Sequence, residues 1–192
     1  MSLSFTQMKE RLKQLIREKA YRKGHFVLAS GQVSDYYVDA RKITLDPEGV
    51  FLVGELFFEL LQKTAPLDAV GGLTLGADPI VSAIALTSFL HKAPIKVFIV
   101  RKEVKTHGTS KLVEGADLSR GNRVVLVDDV LTTGRSIIEA AKKLEELGVK
   151  IIKAICIVDR REKEKRKGIL EPLATPVECL LTIEEILISP FC

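Results

Sequence analysis

Two adjacent acids close an apolar strand: Val124-Val125-Leu126-Val127 runs into Asp128-Asp129, followed by Val130-Leu131-Thr132-Thr133-Gly134-Arg135-Ser136. A buried strand ending in paired carboxylates delivers them to the C-terminal edge of a sheet, where α/β proteins bind ligands. The Thr/Thr/Gly/Arg/Ser turn leads into a helix. Its successive N–H groups and hydroxyls form an anion cradle, assisted by the helix N-terminus. The chemistry implied is a phosphate in the turn and a polyol or metal ion at the carboxylates. A plainer reading makes the acids helix caps and Gly134 a simple bend. Two carboxylates after four apolar residues carry a desolvation cost that capping alone does not offset. No GxxxxGK[ST] is present and no GxGxxG follows a strand, which excludes the Walker A and dinucleotide fingerprints.

A second group is Arg101-Lys102-Glu103-Val104-Lys105-Thr106-His107-Gly108, at the head of a polar stretch over 101–122. Three fixed cations and an imidazole on a glycine-punctuated loop suit closure over a pyrophosphate and neutralisation of its developing charge. A solvated surface loop is the alternative. Arg161 and Lys163 to Lys167 read as a solvated face. His91 reads as a C-terminal helix cap, and His25 opens a strand with no partner in sequence.

These groups must be positioned by regular elements, and the pattern supplies them. Phe5, Met8, Leu12 and Leu15 give an amphipathic helix over 4–20 that opens on a Ser4-x-x-Gln7 capping box. Residues 25–45 are β-type and turn-interrupted. Asp46-Pro47 starts a helix to about Lys63. Strands at Leu67–Gly72, Ile95–Val100, Val124–Val130 and Ile151–Val158 then alternate with helices from Asp78 to about His91 and from Gly134 to Leu147. Val177–Leu181 and a short helix capped by Thr182-x-x-Glu185 end the pattern. Apolar strands alternating with helices predict a mostly parallel, doubly covered α/β sheet.

The chain has 192 residues, 46% of them hydrophobic, which fits one domain with a full core. The net charge of +4 is too mild for a nucleic-acid or membrane binder, although cations cluster at 101–111 and 160–167. Three cysteines (Cys156, Cys179, Cys192) without CxxC spacing predict neither a disulfide framework nor a zinc site. No apolar run reaches a membrane span, and charges at Lys9, Glu10, Arg11 and Lys13 oppose a signal peptide. The sequence reads as a cytoplasmic, soluble protein.

The segment 124–136 resembles the phosphoribosyl-diphosphate (PRPP) motif of type I phosphoribosyltransferases: four hydrophobic residues, two acids, then Thr-Thr-Gly. The spacing Arg101-Lys102-x-x-Lys105-x-His107-Gly108 is similar to the catalytic loop of orotate phosphoribosyltransferases. Ser30-Gly31-x-x-Ser34-x-Tyr36-Tyr37 resembles their orotate-lining segment, and Gly71–Pro79 their pyrophosphate loop. The resemblance runs from about residue 20 to 162. It departs at Ala29 and Leu75, where many relatives carry lysine.

It implies the type I fold over 1–192, with a core at about 46–166 and a hood of about 1–45 plus part of the C-terminal tail. It implies transfer of ribose 5-phosphate from PRPP to orotate, giving orotidine 5′-phosphate and pyrophosphate. Catalysis would fall to Lys102, Lys105, His107, Asp128 and Asp129. PRPP would meet these, Arg101, and Val130 to Ser136, that is Val130, Leu131, Thr132, Thr133, Gly134, Arg135 and Ser136. Orotate would meet Thr132, the faces of Tyr36 and Tyr37, which suit a flat ring, and Arg160, which follows the last core strand and whose guanidinium fork suits a planar carboxylate or carbonyl edge. A plainer reading places both tyrosines in the core. Mg²⁺ would be carried by PRPP, with Asp128 and Asp129 reached through water and no strong direct ligands. A homodimer with Lys102 contributed in trans is implied too. A phosphoribosyltransferase for a purine or xanthine base, and a non-catalytic PRPP sensor of the same fold, are the alternatives.

Overall fold

Parallel pairing of five buried strands organises the chain, as the alternation of apolar runs and helices requires. The computed structural model describes residues 3–27, 33–64, 66–103, 111–161, 163–166, 169–171 and 173–187. The amphipathic helix α1 is Phe5–Leu15, with the Ser4–Gln7 capping box formed in both directions, and one π-turn (Ile16–Ala20) extends it. An antiparallel ribbon follows, β1 (Tyr21–Val27) with β2 (Val33–Val38). A short helix α2 (Arg41–Thr44) precedes α3 (Pro47–Gln62), whose N-terminus Asp46 caps through the amides of Glu48 and Gly49.

Next come β3 (Ala69–Leu73), α4 (Asp78–Leu90), β4 (Val97–Val100) and a three-residue β5 (Val113–Gly115). The strand β6 (Arg123–Leu131) leads through the predicted turn into α5 (Arg135–Glu146), and β7 (Lys150–Asp159) follows. The tail contributes β8 (Ile169–Leu170), β9 (Thr175–Thr182) and α6 (Ile183–Leu187).

The main sheet has the order β5-β4-β3-β6-β7-β9-β8. Its five central strands are parallel, and only the short edges β5 and β8 run antiparallel. Neither edge is visible in the apolar pattern, because each is two or three residues long. Both faces are covered. Val125 and Val127 pack towards α1, α3 and α4, whereas Val124 and Leu126 pack towards α5. This two-sided burial is why β6 reads as a continuous apolar run rather than an alternating one. The helix α5 buries Ile137, Ala140, Ala141 and Leu144, a single face at helical spacing.

One sequence expectation fails outright in this region. Arg161 is not a solvated residue: it pairs with Asp159 on both carboxylate oxygens, and the pair is nearly excluded from water. Arg166 joins them by pairing with Glu184. A basic run read one residue at a time hides acids that lie elsewhere in the chain. His25 finds a partner in Asp35 across the ribbon, at 3.0 Å. His91 does occupy the C-cap position of α4, yet its ring also bonds Glu55 and stacks on Phe58. Cys156 and Cys179 are unlinked, side by side on β7 and β9.

Candidate functional site

The longer helices divide by how they begin. α1 and α3 carry side-chain caps, whereas α4 and α5 have none. The first-turn N–H groups of an uncapped helix are available to an anion, and the helix dipole favours one there. Both uncapped helices start at the same cleft, at the C-terminal ends of β3 and β6. The cleft holds about 290 Å³ and is lined by Arg41, Leu73, Thr74, Leu75, Gly76, Lys102, Asp128, Asp129 and Ser136.

At the α5 entrance, Gly134 has φ 75°, and a Cβ there would lie 2.5 Å from Leu170 Cδ1. The turn therefore needs glycine both for its left-handed backbone and for the close approach of β8. At the α4 entrance, a Cβ on Gly76 would stand 3.0 Å from Asp128 Oδ1. The bare backbone leaves that side of the carboxylates open. The Thr74–Leu75 peptide is cis, and Thr74 Oγ1 donates to Asp78 Oδ2 at 2.8 Å.

The paired acids sit in a demanding environment. Burial first, and the neighbouring Asp129 charge second, push the Asp128 carboxyl up to about 7; Ser136 and a backbone amide oppose the shift. Asp129 is also raised by burial, against the Val130 amide, which donates at 2.6 Å, and the charge of Arg41. Arg41 is held by Asp39 at 3.2 Å, which raises its own pKa. Arg41 escaped the sequence reading. Its only local signal is a cation two residues past Asp39, and its charge acts on Asp129 from across the fold.

Lys102 lies on the wall of this cleft, in the same chain as the acids. A clasp holds the backbone there: Lys143 Nζ donates to the carbonyls of Arg101 (2.9 Å) and Lys102 (2.6 Å) and pairs with Glu139. One helix thus fixes the anion turn at its start and the root of the cationic loop near its end. Arg101 itself does not line the cleft and pairs with Glu114 on the edge strand at 3.5 Å. Lys105 and His107 lie outside the described residues, as do Ala29 and Ser30. Leu75, in the position of a common lysine, is on the cleft and 74% exposed.

Within the turn, Thr132, Thr133 and Arg135 are exposed and Ser136 faces the cleft. The side chains of Val130 and Leu131 pack into the core, which leaves only their backbone for a ligand.

Arg160 follows β7 directly, and its amide donates to Leu131 O at 2.8 Å, so it stands beside the turn after β6. Its guanidinium lies 4.7 Å over the Tyr36 ring and 3.4 Å from Ser34 Oγ. The ribbon is therefore brought to the sheet's ligand edge. Strand alternation sends Tyr37 to the other face, where its ring meets Phe26 at a centroid separation of 5.6 Å. Tyr36 and Arg160 come together, and Tyr37 does not join them.

Known proteins share this architecture and this sequence. The phosphoribosyl transferase domain model matches residues 40–180. An orotate phosphoribosyltransferase of Aquifex aeolicus is 42% identical over 182 residues, 93% of this chain and 97% of that protein. One from Nostoc is 41% identical over 81% of this chain and 74% of its own length. Among solved structures, the orotate phosphoribosyltransferase of Mycobacterium tuberculosis in complex with PRPP superposes with a TM-score of 0.73, at 31% identity over 94% of this chain and 99% of that one. An adenine phosphoribosyltransferase from Leishmania tarentolae shares the fold alone, at 17% identity and a TM-score of 0.60. Identity at this level along nearly the full length, on a sheet whose ligand edge is built this way, makes the chain a member of the orotate phosphoribosyltransferase family.

Proposed function

We propose that this chain transfers the ribose 5-phosphate group of PRPP to orotate, giving orotidine 5′-phosphate and pyrophosphate in pyrimidine biosynthesis. The observation that carries the reading is the meeting of a paired-acid cleft with an arginine–tyrosine pair at the ends of neighbouring parallel strands.

The reaction breaks the bond from ribose C1 to the pyrophosphate oxygen, whose electron pair leaves with pyrophosphate, and forms a new bond from C1 to the base. An oxocarbenium-like state lies between them, as in other glycosyl transfers. Asp128 and Asp129 hold the ribose hydroxyls. The turn from Thr132 to Ser136 takes the 5′-phosphate on the free amides of α5. The Thr74–Ala77 loop faces the pyrophosphate. Lys102 stabilises its departing charge, with Lys105 and His107 contributed by the same loop. Arg160 pairs with the acidic pyrimidine, with Tyr36 and Thr132 beside it.

The acids fit Mg²⁺. Both carboxyls are raised by burial, Asp128 further by its neighbour's charge, and Arg41 compensates only Asp129, so a cation there is favourable. Among the described residues no cluster of three acids, histidines or cysteines forms a metal cage. The ion would thus be carried mainly by PRPP oxygens, with Asp128 and Asp129 reaching it through water. When bound, Mg²⁺ supplies charge neutralisation for the diphosphate.

A homodimer completes this reading. Leu86, Phe89 and Leu90, each more than 60% exposed at the end of α4, offer an apolar surface of the kind that subunits cover. The hood is the α1 and β1–β2 region with the α6 tail, over a core of about 46–166, in one domain. Among the described residues no helix is long and apolar enough to cross a membrane. A cytoplasmic location belongs to this reading.

Two substitutions test the division of labour. Arg160→Ala should raise the orotate KM about ten- to 150-fold, the loss of one charge-assisted contact of ~1.5–3 kcal/mol, with the PRPP KM little changed. An equal rise for both substrates would mean that Arg160 acts on structure. Lys143→Met frees the loop root and should raise the PRPP KM about tenfold, with unchanged thermal unfolding as the control. An unchanged PRPP KM would remove the clasp from the account.

A further inference from the structure

We propose that Arg166, acting with Glu184 and the buried Asp159–Arg161 pair, positions Arg160 for its substrate, so that the C-terminal segment sets the affinity for orotate and not for PRPP. The inference rests on the assignment of Arg160 to orotate made above.

Arg160 is poorly held by its own side chain. Its guanidinium has one long contact to Ser34 and a ring face beneath it, and its Nε is buried without a hydrogen-bond partner. Such an orphaned donor suits a planar acceptor. What holds Arg160 is the backbone on either side. Asp159 closes β7 at 4% exposure, in register with Leu131 on β6 and Thr182 on β9. Its Oδ1 accepts from the Arg161 amide (2.9 Å) and Nε (3.1 Å), and its Oδ2 from Arg161 Nη2 (2.7 Å).

Arg166 locks this loop from beyond. Its Nη2 donates to the Arg161 carbonyl at 2.5 Å and to Glu184 Oε1 at 2.9 Å, and its Nη1 to Glu184 Oε2 at 2.5 Å. Its Nε lies 3.7 Å from Asp159 Oδ1. Glu184 is anchored in turn, because it sits in the first turn of α6, which opens on the Thr182–Glu185 capping box. Two cations and two acids balance. A paired cluster of this kind adds little net stability over apolar packing, and its use is to fix geometry. Here the fixed geometry is that of the residue between its members.

The positioning role predicts a split that a structural role would not produce. Arg166→Met and Glu184→Gln should each raise the orotate KM, by about tenfold and severalfold respectively, with kcat and the PRPP KM within about twofold of wild type. In an Arg160→Ala background, Arg166→Met should add nothing further, because it acts through Arg160. Glu184→Gln keeps the Asp159–Arg161 pair, so the split is measurable even if Arg166→Met fails to fold. Parallel rises in both KM values, or full additivity with Arg160→Ala, would overturn the proposal. A normal Arg160→Ala effect with no response to Glu184→Gln or Arg166→Met also refutes the positioning role alone. An Arg160→Ala protein with unchanged orotate KM refutes the substrate assignment beneath it.

Discussion

Replacing Asp128 and Asp129 together by Asn strongly lowers turnover and, above neutral pH, makes the free protein more stable. The catalytic half follows from losing two charged acceptors at the sugar. At ~1.5–3 kcal/mol each, the loss in kcat/KM is about 10²- to 10⁴-fold. The stability half follows from linkage. Folding raises Asp128 from 3.8 to about 7, so the folded state binds its proton more tightly than the unfolded state does. An acid raised in this way loses stability as pH climbs from 3.8 towards 7, and the whole cost is present above 7. The cost is on the order of 4 kcal/mol, much of which Asn at 128 removes. Thermal melts at pH 8 should therefore show the double variant several degrees above wild type, with the gap narrowing towards pH 5. A variant that melts lower at pH 8, or stays active, would contradict the assignment. Buried charge retained at a stability cost is a mark of a functional site.

Mixing two impaired proteins, Lys102→Ala and Asp128→Asn/Asp129→Asn, should restore activity, because the resemblance to orotate phosphoribosyltransferases implies a homodimer with Lys102 contributed in trans. One site of a mixed dimer then carries wild-type acids and a wild-type lysine, and the other carries both lesions. Lys102→Ala alone should lower kcat/KM by about 10²- to 10³-fold, as for other donors aimed at developing charge. With half the sites of each mixed dimer intact, a random equal mixture regains roughly a quarter of wild-type activity. Zero recovery, with subunit exchange shown independently, would mean that Lys102 serves the cleft of its own chain, whose wall it borders.

What could be read from the sequence was what depends on near neighbours. The Ser4–Gln7 and Thr182–Glu185 boxes, the Asp46-Pro47 helix start and the acids after Val127 each rest on a few adjacent residues, and all stand where the pattern put them. The pairing of Tyr36 with Arg160 was reachable only through the resemblance, since 124 residues separate them. Three features were hidden because their partners are remote. The charge of Arg41 acts on Asp129 across the fold, Lys143 reaches the carbonyls of Arg101 and Lys102, and Arg166 finds Glu184 in the tail. The edges β5 and β8 were hidden by brevity, because two or three residues show no period.

The central claim is a transfer to orotate, and the direct measurement is the loss of orotate absorbance when PRPP and Mg²⁺ are added to the purified protein. Parallel reactions with hypoxanthine, xanthine and uracil serve as controls. Orotate should be consumed only when PRPP is present, with little or no turnover of the other bases. Unchanged orotate absorbance in the presence of both, or faster turnover of a purine, would contradict it.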